Sequence, residues 1–280
     1  MECNCVGKLY ICGTPIGNME DVSIRLLKTL RQVDLIACED TRHTIKLLNH
    51  YKIKKPLISY HEYSDKNREN HLLNKLLAGE SIALVSDAGM PTISDPGENL
   101  IKRAIEAGVD IEVVPGPSAF TAALAISGLD ASSFIFIGFL PSKSKKRQEM
   151  LADFVNAERT VICYESPHRL LDTLKDIRDI LGPDRLVVVA RELTKKFEEV
   201  RRGPVEELLE HFMAKAPKGE ICLLIDKKDS PQEVEFSQII AEVRELIEQG
   251  VDKKEAFKMK AKEYSVKKSD IYNYFVENEK

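Results

Sequence analysis

The chain has 280 residues, in which 41 lysines and arginines nearly balance 45 aspartates and glutamates, so the formal net charge is -4. This length predicts about two domains, and a composition with 43% hydrophobic and 31% charged residues is typical of a globular protein. A protein that attracts nucleic acid by an overall basic charge is excluded, whereas a local basic patch remains compatible with the sequence.

The predicted elements alternate between short β-branched runs and amphipathic stretches. The predicted strands are Lys8–Cys12, Asp34–Cys38, Pro56–Tyr60, Ser81–Ser86, Ile111–Val114, Phe134–Ile137, Thr160–Tyr164, Leu186–Ala190 and Glu220–Ile225. The predicted helices between them are Val22–Gln32, Lys66–Leu77, Gly97–Ala107, Arg169–Leu181 and Val205–Phe212. This alternation predicts an α/β protein with largely parallel sheets.

The strand series is interrupted near Ser127–Ser133 by residues that favour turns. We therefore predict an N-terminal α/β domain over residues 1–127 and a second α/β domain over 128–228. A linker at Lys227–Pro231 then leads to a helical region over residues 229–280.

The composition of this last region differs from that of the rest of the chain. A first helix is predicted at Phe236–Gln249, and Val251–Tyr272 then contains seven lysines and four acidic residues. Two further helices, Lys253–Glu263 and Lys268–Val276, resemble a helix-turn-helix, which is suited to a nucleic-acid backbone. A solvated helical tail explains the same pattern equally well.

The six cysteines do not point to a metal centre. None of them forms a C-x2-C pair of the kind that binds zinc. Apolar runs such as Leu9–Cys12 and Ile221–Ile225 contain cysteines, which predicts buried thiols. Cys3 and Cys5 would need distant partners to hold an ion, so we expect no metal site.

No targeting or membrane signal is evident. Residues Met1–Gly7 have neither the basic start nor the apolar core of a signal peptide. Apolar stretches such as Phe134–Leu140 are far shorter than the roughly 20 residues that span a bilayer. We therefore expect a cytoplasmic protein.

Three loops rich in glycine and proline each follow a predicted strand, at residues 13–18, 87–97 and 115–119. Ligands of open α/β sheets bind beyond the carboxyl ends of the strands, so we expect the three loops to meet at one crevice. None of them matches G-x-G-x-x-G or G-x4-G-K-[ST], which argues against a Rossmann dinucleotide site and a P-loop. The predicted ligand is a compact small molecule.

These three loops, together with Glu39–Arg42, resemble the corresponding segments of the tetrapyrrole methylase superfamily of methyltransferases. Within that superfamily, Gly138–Pro141, Tyr164–Arg169 and Arg191–Lys195 are similar to a branch that methylates small-subunit ribosomal RNA. The resemblance extends over about residues 8–226. Met90 departs from the pattern, in which threonine is expected at that position.

The resemblance implies a fold, a reaction and a set of cofactor contacts. It implies two α/β domains with S-adenosylmethionine (SAM) in the cleft between them, a homodimer, and 2'-O-methylation of a cytidine in the decoding region of 16S ribosomal RNA. Carried onto the matching positions of this sequence, the cofactor contacts are Pro15, Asp87, Gly89, Asp95, Ser118, Ala119, Tyr164 and Leu193.

A ribose 2'-hydroxyl is a poor nucleophile at neutral pH, so a base or a cation is expected beside it. The candidates are His168, Glu192 and Lys195, with Asp40 and Arg42 from the first domain. We predict that Glu192 and Lys195 act as a base and its orienter, although Arg191 and Glu192 are equally consistent with a structural ion pair. The predicted RNA contacts are Arg42, Lys143, Lys145, Lys146, Arg147, Lys253, Lys254, Lys267 and Lys268.

Three other functions remain open. The first is methylation of a corrin or porphyrin precursor on the same fold. The second is a ribosome-assembly factor without catalytic activity, against which the three intact loops argue. The third is a DNA regulator based on the short helix-turn-helix region alone. The segments at 164–169 and 191–195, and the basic tail, favour RNA.

Overall fold

The computed structural model describes residues 6–61, 66–228, 236–264 and 266–277. The chain divides into two compact units, residues 1–227 and 228–280. Both predicted α/β domains lie in the larger unit, so the predicted boundary at residue 127 separates two sheets of one unit. Cys3, Cys5 and most of the predicted linker lie outside the described residues.

The first sheet is entirely parallel, as predicted. Its strands are β1 (Lys8–Cys12), β2 (Leu35–Cys38), β3 (Leu57–Ser59), β4 (Ile82–Val85) and β5 (Asp110–Val114), in the order β3-β2-β4-β1-β5. The helices that follow its strands are α1 (Ile24–Gln32), α2 (Thr41–His50), α3 (Lys66–Leu77), α4 (Glu98–Glu106) and α5 (Ala119–Ser127). Helices cover both faces, which is why β2 and β4 are continuous apolar runs.

The two faces of the first sheet are covered by different helices. Leu72 of α3 and Leu100 of α4 pack with Leu84 of β4 on one face. Leu26 of α1 and Leu47 of α2 belong to the apolar cluster on the other. This arrangement places the carboxyl ends of all five strands, and the loops that follow them, at one edge.

The second sheet is mixed, so the prediction of largely parallel sheets is wrong here. Its strands are β6 (Phe134–Phe139), β7 (Thr160–Glu165), β8 (Leu186–Arg191), β9 (Glu199–Pro204) and β10 (Ile221–Ile225), in the order β6-β7-β10-β8-β9. Only the β6–β7 pair is parallel, because β10 lies between β7 and β8 and runs antiparallel to both. The β8–β9 hairpin adds a further antiparallel pair.

Helix α5 joins the two halves of the larger unit. It begins directly after the third loop of the first sheet, and its residues Ala123 and Leu124 are buried against Ile162, Val188 and Leu224 of the second sheet. Helices α6 (Ser144–Ala152), α7 (Leu170–Leu181) and α8 (Val205–Ala214) cover the opposite face of that sheet. The loops of the first sheet are thereby held close to the second sheet.

The smaller unit contains α9 (Phe236–Glu248), α10 (Lys253–Glu263) and α11 (Lys268–Glu277), which confirms the three predicted helices. Val243, Phe257 and Ile271 contribute to its core. Asp252 caps α10 by accepting hydrogen bonds from the first-turn amides. Across the described residues of both units, every helix is too short or too polar to span a membrane.

Candidate functional site

The three loops of the first sheet are in direct contact, as the sequence predicted. Thr14 and Gly89 exchange backbone hydrogen bonds of 2.9 and 3.1 Å, which joins the first loop to the second. The Gly13 amide donates to the Val114 carbonyl at 2.9 Å. Gly116 lies so close to Gly13 that a Cβ atom on Gly116 would stand 2.6 Å from the Gly13 carbonyl oxygen. Glycine is therefore required where the first and third loops cross.

A pocket of about 340 Å³ lies between these loops and the second sheet. Such a volume is suited to one small molecule. Its walls are mainly apolar, and a few polar groups come from each half. The lining residues are Ile16, Ala88, Gly89, Met90, Ile93, Ser94, Asp95, Ser118, Ala119, Phe139, Tyr164, Glu165, Ser166, Pro167, Ala190, Leu193, Gly219, Glu220, Ile221 and Cys222.

Six of the eight predicted cofactor contacts line this pocket, namely Gly89, Asp95, Ser118, Ala119, Tyr164 and Leu193. Pro15 and Asp87 instead lie beside it, next to the lining residues Ile16 and Ala88. The Asp87 carboxylate accepts from the Asp40 amide at 3.0 Å and lies 3.0 Å from the Nδ1 atom of His43. Asp87 therefore positions the start of α2 behind the pocket wall.

One side of the pocket is acidic. Burial, together with the nearby charges of Glu39 and Asp87, raises the pKa of Asp95 to about 7, although a hydrogen bond from Ser86 opposes the rise. Burial and the charge of Asp87 also raise the pKa of Glu39. Three carboxyl groups from two loops thus contribute negative potential at one end of the cavity, which favours a cationic group in the ligand.

The wall of the pocket on the side of the second sheet is aromatic. Burial raises the pKa of Tyr164 to about 12, and its phenol group interacts with Ser118 at the start of α5. The Tyr164 ring lies edge-on to Phe136 and Phe139, with centroid distances of 5.1 and 5.6 Å. This cluster provides a rigid apolar surface for the flat part of a ligand.

Backbone strain is concentrated around the pocket. Five non-glycine residues in the described parts of the chain have a positive φ, and four of them border this site. Thr92 and Ser94 lie in the second loop, with φ of 72° and 64°, and Glu192 and Thr194 follow β8, with φ of 52° and 65°. Such conformations persist where the surroundings hold them, which is frequent at functional sites.

The predicted catalytic pair belongs to a network of charges on the segment after β8. Lys195 Nζ donates to Glu192 Oε1 and Glu220 Oε2, both at 2.9 Å. The hydrogen bond from Lys195 lowers the pKa of Glu192. Partial burial opposes the charge on Lys195, but the two carboxylates raise its pKa above the usual value. Both groups therefore remain charged at neutral pH. Lys195 is suited to act as a fixed cation, whereas the lowered pKa of Glu192 makes it a weak proton acceptor.

An open cleft of about 650 Å³ lies on the other side of the same segment. The first loop and the segment after β8 form its walls, and they touch where the Asn18 amide donates to Thr194 Oγ1 at 3.0 Å. Leu193 lines the pocket while Thr194 lines the cleft, so the two cavities share this segment. The residues around the cleft are Gly17, Asn18, Met19, Glu20, His50, Thr194, Lys195 and Lys196.

The segment Tyr164–Arg169 is held by a buried carboxylate. Glu165, whose side chain is fully buried, accepts from Thr173 Oγ1 at 2.6 Å and pairs with Arg169 at 3.2 Å. Arg169 also donates to the Leu140 carbonyl oxygen at 2.7 Å. His168, a predicted catalytic candidate, is exposed in the turn before α7 and does not line the pocket.

The predicted basic surface at the start of α6 needs one correction. Lys143, Lys145 and Lys146 are exposed, but Arg147 is 4% exposed and forms a 2.6 Å ion pair with Asp176. A buried guanidinium held in this way does not reach RNA, so the prediction for Arg147 is wrong.

The other predicted RNA contacts remain accessible. The side chain of Arg42 is 86% exposed even though it pairs with Asp40 at 2.6 Å. The four lysines predicted in the smaller unit, Lys253, Lys254, Lys267 and Lys268, are exposed there.

Residues Gly219–Cys222 line the pocket but were not predicted. In a parallel sheet only the carboxyl ends of the strands lead into ligand-binding loops. β10 runs antiparallel to its neighbours, so its amino end lies at the edge where the carboxyl ends of β7 and β8 lie. A Cβ atom on Gly219 would stand 2.2 Å from the Glu192 carboxylate, a side-chain end that can move away, so it is the φ of +82° that favours glycine at this position.

Comparison with known families agrees with this geometry. Residues 8–209 match the family model of the tetrapyrrole (corrin/porphyrin) methylases. The chain therefore belongs to the tetrapyrrole methylase family, and it is a methyltransferase.

Its sequence is also similar to three curated proteins named ribosomal RNA small subunit methyltransferase I. It is 52% identical over 224 residues to that of Thermotoga maritima, which covers 80% of this chain and 100% of the relative. It is 44% identical to that of Synechocystis sp. (98% and 99% covered) and 42% identical to that of Escherichia coli O157:H7 (99% and 97% covered).

Solved structures show the same fold at low sequence identity. A cobalt precorrin-4 methyltransferase of cobalamin biosynthesis superposes with a TM-score of 0.62 at 21% identity, covering 78% of this chain and 94% of the other. A uroporphyrin-III C-methyltransferase of Thermus thermophilus gives a TM-score of 0.55 at 19% identity, covering 79% and 94%.

The methyl donor of this methyltransferase is SAM. The pocket fits this molecule in three respects. Its volume is that of a small-molecule site. The acidic end with Asp95 complements a sulfonium and an ammonium group, and the wall with Tyr164 and Phe139 offers a surface for an adenine ring. Among the described residues, we find no group of three histidine, cysteine or acidic side chains placed to hold a metal ion.

Proposed function

We propose that this protein transfers the methyl group of SAM to the 2'-oxygen of a cytidine ribose in the decoding region of 16S ribosomal RNA. The observation that carries the proposal is that the pocket and the open cleft lie side by side and share one segment of the chain. A cofactor-sized pocket and an open cleft with two lysines share the segment Leu193–Lys196. Three relatives that each match at least 80% of the chain are named as methyltransferases of small-subunit ribosomal RNA.

The side chains around the pocket bind and align the donor. Gly89, Ser118 and Ala119 let backbone groups approach it, while Asp95 faces its cationic groups. Bound SAM supplies an electrophilic methyl group on a sulfonium, a good leaving group. Correct alignment of the acceptor oxygen with that methyl contributes roughly 7–11 kcal/mol to the lowering of the barrier.

Lys195 assists the acceptor as a cation. Its ammonium group is fixed between Glu192 and Glu220 at the boundary of the pocket and the cleft. A cation at this place stabilises the negative charge that develops on the ribose oxygen as its proton passes to solvent water in the open cleft. Glu192 orients Lys195 and is a weak base because its pKa is lowered. His168 lies outside the pocket lining, which argues against direct contact with the reacting atoms.

The exposed basic residues bind the phosphates of the RNA. Arg42 lies at the start of α2, and Lys143, Lys145 and Lys146 lie at the start of α6. The four lysines of the smaller unit add a second basic surface. Such contacts release counterions, so binding weakens steeply with added salt. A substrate in the small ribosomal subunit also implies that the protein works in the cytoplasm.

We propose that the protein forms a homodimer through β6. In the described part of the chain this strand pairs with β7 alone and lies at the end of its sheet. Its sequence, Phe134–Phe139, contains no charged residue, and Phe134, at the end of the strand opposite the pocket residue Phe139, is 40% exposed. An exposed apolar edge strand is a template for pairing with another chain. Sedimentation of the wild type and of Phe134→Lys tests this, and a monomeric wild type would contradict it.

The reaction is tested by transfer of labelled methyl from SAM to small ribosomal subunits that lack their own 2'-O-methyl groups, followed by nucleoside analysis. We expect the label in 2'-O-methylcytidine. Label on a base would contradict the assigned position. SAM binding without any label on RNA would overturn the assigned substrate and favour a small-molecule acceptor of the corrin or porphyrin class.

A further inference from the structure

The segment after β8 carries an aromatic side chain that its own fold does not bury. Phe197 is 67% exposed, more than Phe139 at 54% or Tyr272 at 51%. A single exposed apolar side chain is common on protein surfaces and has no meaning by itself. Two features distinguish Phe197 from other exposed apolar residues. It directly follows the cleft residue Lys196, and hydrogen bonds fix its backbone.

Hydrogen bonds on both sides fix the backbone that carries Phe197. The Glu198 carboxylate accepts from the Thr194 amide at 2.6 Å, and the Glu198 amide donates to the Lys195 carbonyl at 3.1 Å. The Asn18 amide donates to Thr194 Oγ1, which ties the turn to the first loop of the other sheet. An exposed ring on a backbone fixed in advance loses little conformational entropy when a partner covers it.

The charges around Phe197 are suited to nucleic acid. Lys196 Nζ lies 5.6 Å from the centre of the Phe197 ring. Lys195 and Lys196 both line the cleft, and Leu193 lines the cofactor pocket. A ring, two cations and the wall of the methyl-donor pocket are therefore found within five consecutive residues. Proteins bind unpaired RNA with this combination of aromatic surfaces for the bases and cations for the phosphates.

We propose that Phe197 stacks on an unpaired base of the substrate RNA at the entrance of the cleft, while Lys196 contacts a flanking phosphate. This inference rests on the proposed function, because it needs RNA as the acceptor. The stacking holds the strand so that one ribose reaches the boundary between cleft and pocket. Phe197 is thus a positioning residue and does not touch the reacting atoms.

The test measures the dissociation constant and KM for small ribosomal subunits, together with SAM affinity. We expect Phe197→Ala to weaken subunit binding by about 5- to 100-fold, the usual effect of removing one stacked ring. Phe197→Tyr should retain binding, whereas Phe197→Leu should lose most of it although it keeps an apolar side chain. SAM affinity should not change. The matched control is Ile105→Ala, because Ile105 is 63% exposed at the end of α4 away from the loops.

Salt dependence separates the effect of the ring from that of the lysine. Phe197→Ala should lower affinity at every salt concentration and leave the slope of log K against log salt unchanged. Lys196→Ala should reduce that slope by about 0.7 to 0.9, the effect of leaving one phosphate without its cation.

Three results would overturn the inference. Wild-type subunit affinity in Phe197→Ala would exclude any contact with RNA. Full binding by Phe197→Leu would exclude stacking. Loss of self-association in Phe197→Ala would show that the ring lies at a subunit interface. A wild-type protein that labels no RNA would instead refute the proposed function, so the two failures are distinguishable.

Discussion

At the scale of single residues, the acidic end of the pocket combines a cost in stability with a role in binding. The pKa of Asp95 is raised from 3.8 to about 7 in the folded chain. Between these pH values the folded state holds a proton that the unfolded state releases. The free energy of unfolding therefore falls as pH rises from about 4 to about 7, and the loss is complete above pH 7.

We predict that Asp95→Asn is more stable than the wild type at pH 8 and equally stable at pH 4. The difference at pH 8 should be about 1 kcal/mol, a value reduced for the partial exposure of the side chain. SAM should bind the variant more weakly at pH 8, because the ionised carboxylate is missing. Urea denaturation at both pH values and calorimetry with SAM measure this. The control is Asp153→Asn, an exposed aspartate outside the pocket. Equal stability of wild type and variant at pH 8 would contradict the assignment.

Two substitutions in the Lys195 network distinguish catalysis by a fixed cation, Lys195, from catalysis by a base, Glu192. We predict that Lys195→Met lowers kcat by about 100- to 1,000-fold, as loss of a group that stabilises an oxyanion does, with SAM affinity nearly unchanged. Glu192→Gln should lose much less, because an amide still accepts the hydrogen bonds of Lys195 and of the Glu220 amide. Single-turnover methylation of small subunits measures both. If the Glu192 variant were the more impaired one, Glu192 would be the base.

At the scale of elements, the crossing of the first and third loops is the tightest approach of one backbone to another in the site. A Cβ atom on Gly116 would overlap backbone atoms of Gly13, which have no flexible end to move away. We predict that Gly116→Ala destabilises the fold by about 1–3 kcal/mol and weakens SAM binding by separating the loops. Gly128→Ala is the control, since its Cβ meets no atom within 4 Å and only its φ of +79° is strained. Calorimetry should show normal SAM affinity in the control; equally weakened SAM binding in both variants would contradict a local effect.

Elements with clear periodicity could be predicted from the sequence, and those governed by tertiary context could not. The bounds of β1, α3 and α10 agree with the predictions. β1 is a short apolar run, α3 has leucines at helical spacing, and α10 begins directly after its capping residue Asp252. β9 was not predicted, because its sequence Glu-Val-Arg-Arg-Gly-Pro is charged; it forms as an edge strand paired with β8. α5 was not predicted either, because Ala119–Ser127 is apolar around most of its surface and shows no periodicity.

The candidate site divides in the same way. The three loops could be located because each follows a strand of a parallel sheet and carries glycines and prolines. Glu220 and Cys222 could not be located, because no local pattern shows that β10 enters the sheet in the opposite direction. The burial of Arg147 could not be predicted from the local sequence either, because its partner Asp176 lies 29 residues away on α7. Pairings between distant segments are the part of the site that a single sequence does not specify.

At the scale of the whole molecule, the net charge of -4 means that RNA binding depends on where the basic residues lie. The larger unit contains both cavities and has its own cores. The relative of Thermotoga maritima aligns over its whole length with only 80% of this chain. That relative therefore has a length near that of the larger unit of this chain.

We predict that a chain of residues 1–227 folds, binds SAM with wild-type affinity and binds small ribosomal subunits more weakly. The slope of log K against log salt should become shallower by about 0.7 to 0.9 for each phosphate that the smaller unit would otherwise neutralise. The full-length chain with Lys253, Lys254, Lys267 and Lys268 changed to alanine is the matched control, because it removes the charges and keeps the helices. The same decrease in affinity in both variants would assign the effect to these lysines. Wild-type subunit affinity and salt slope in the shortened chain would show instead that the three helices are a solvated appendage without a role in RNA binding.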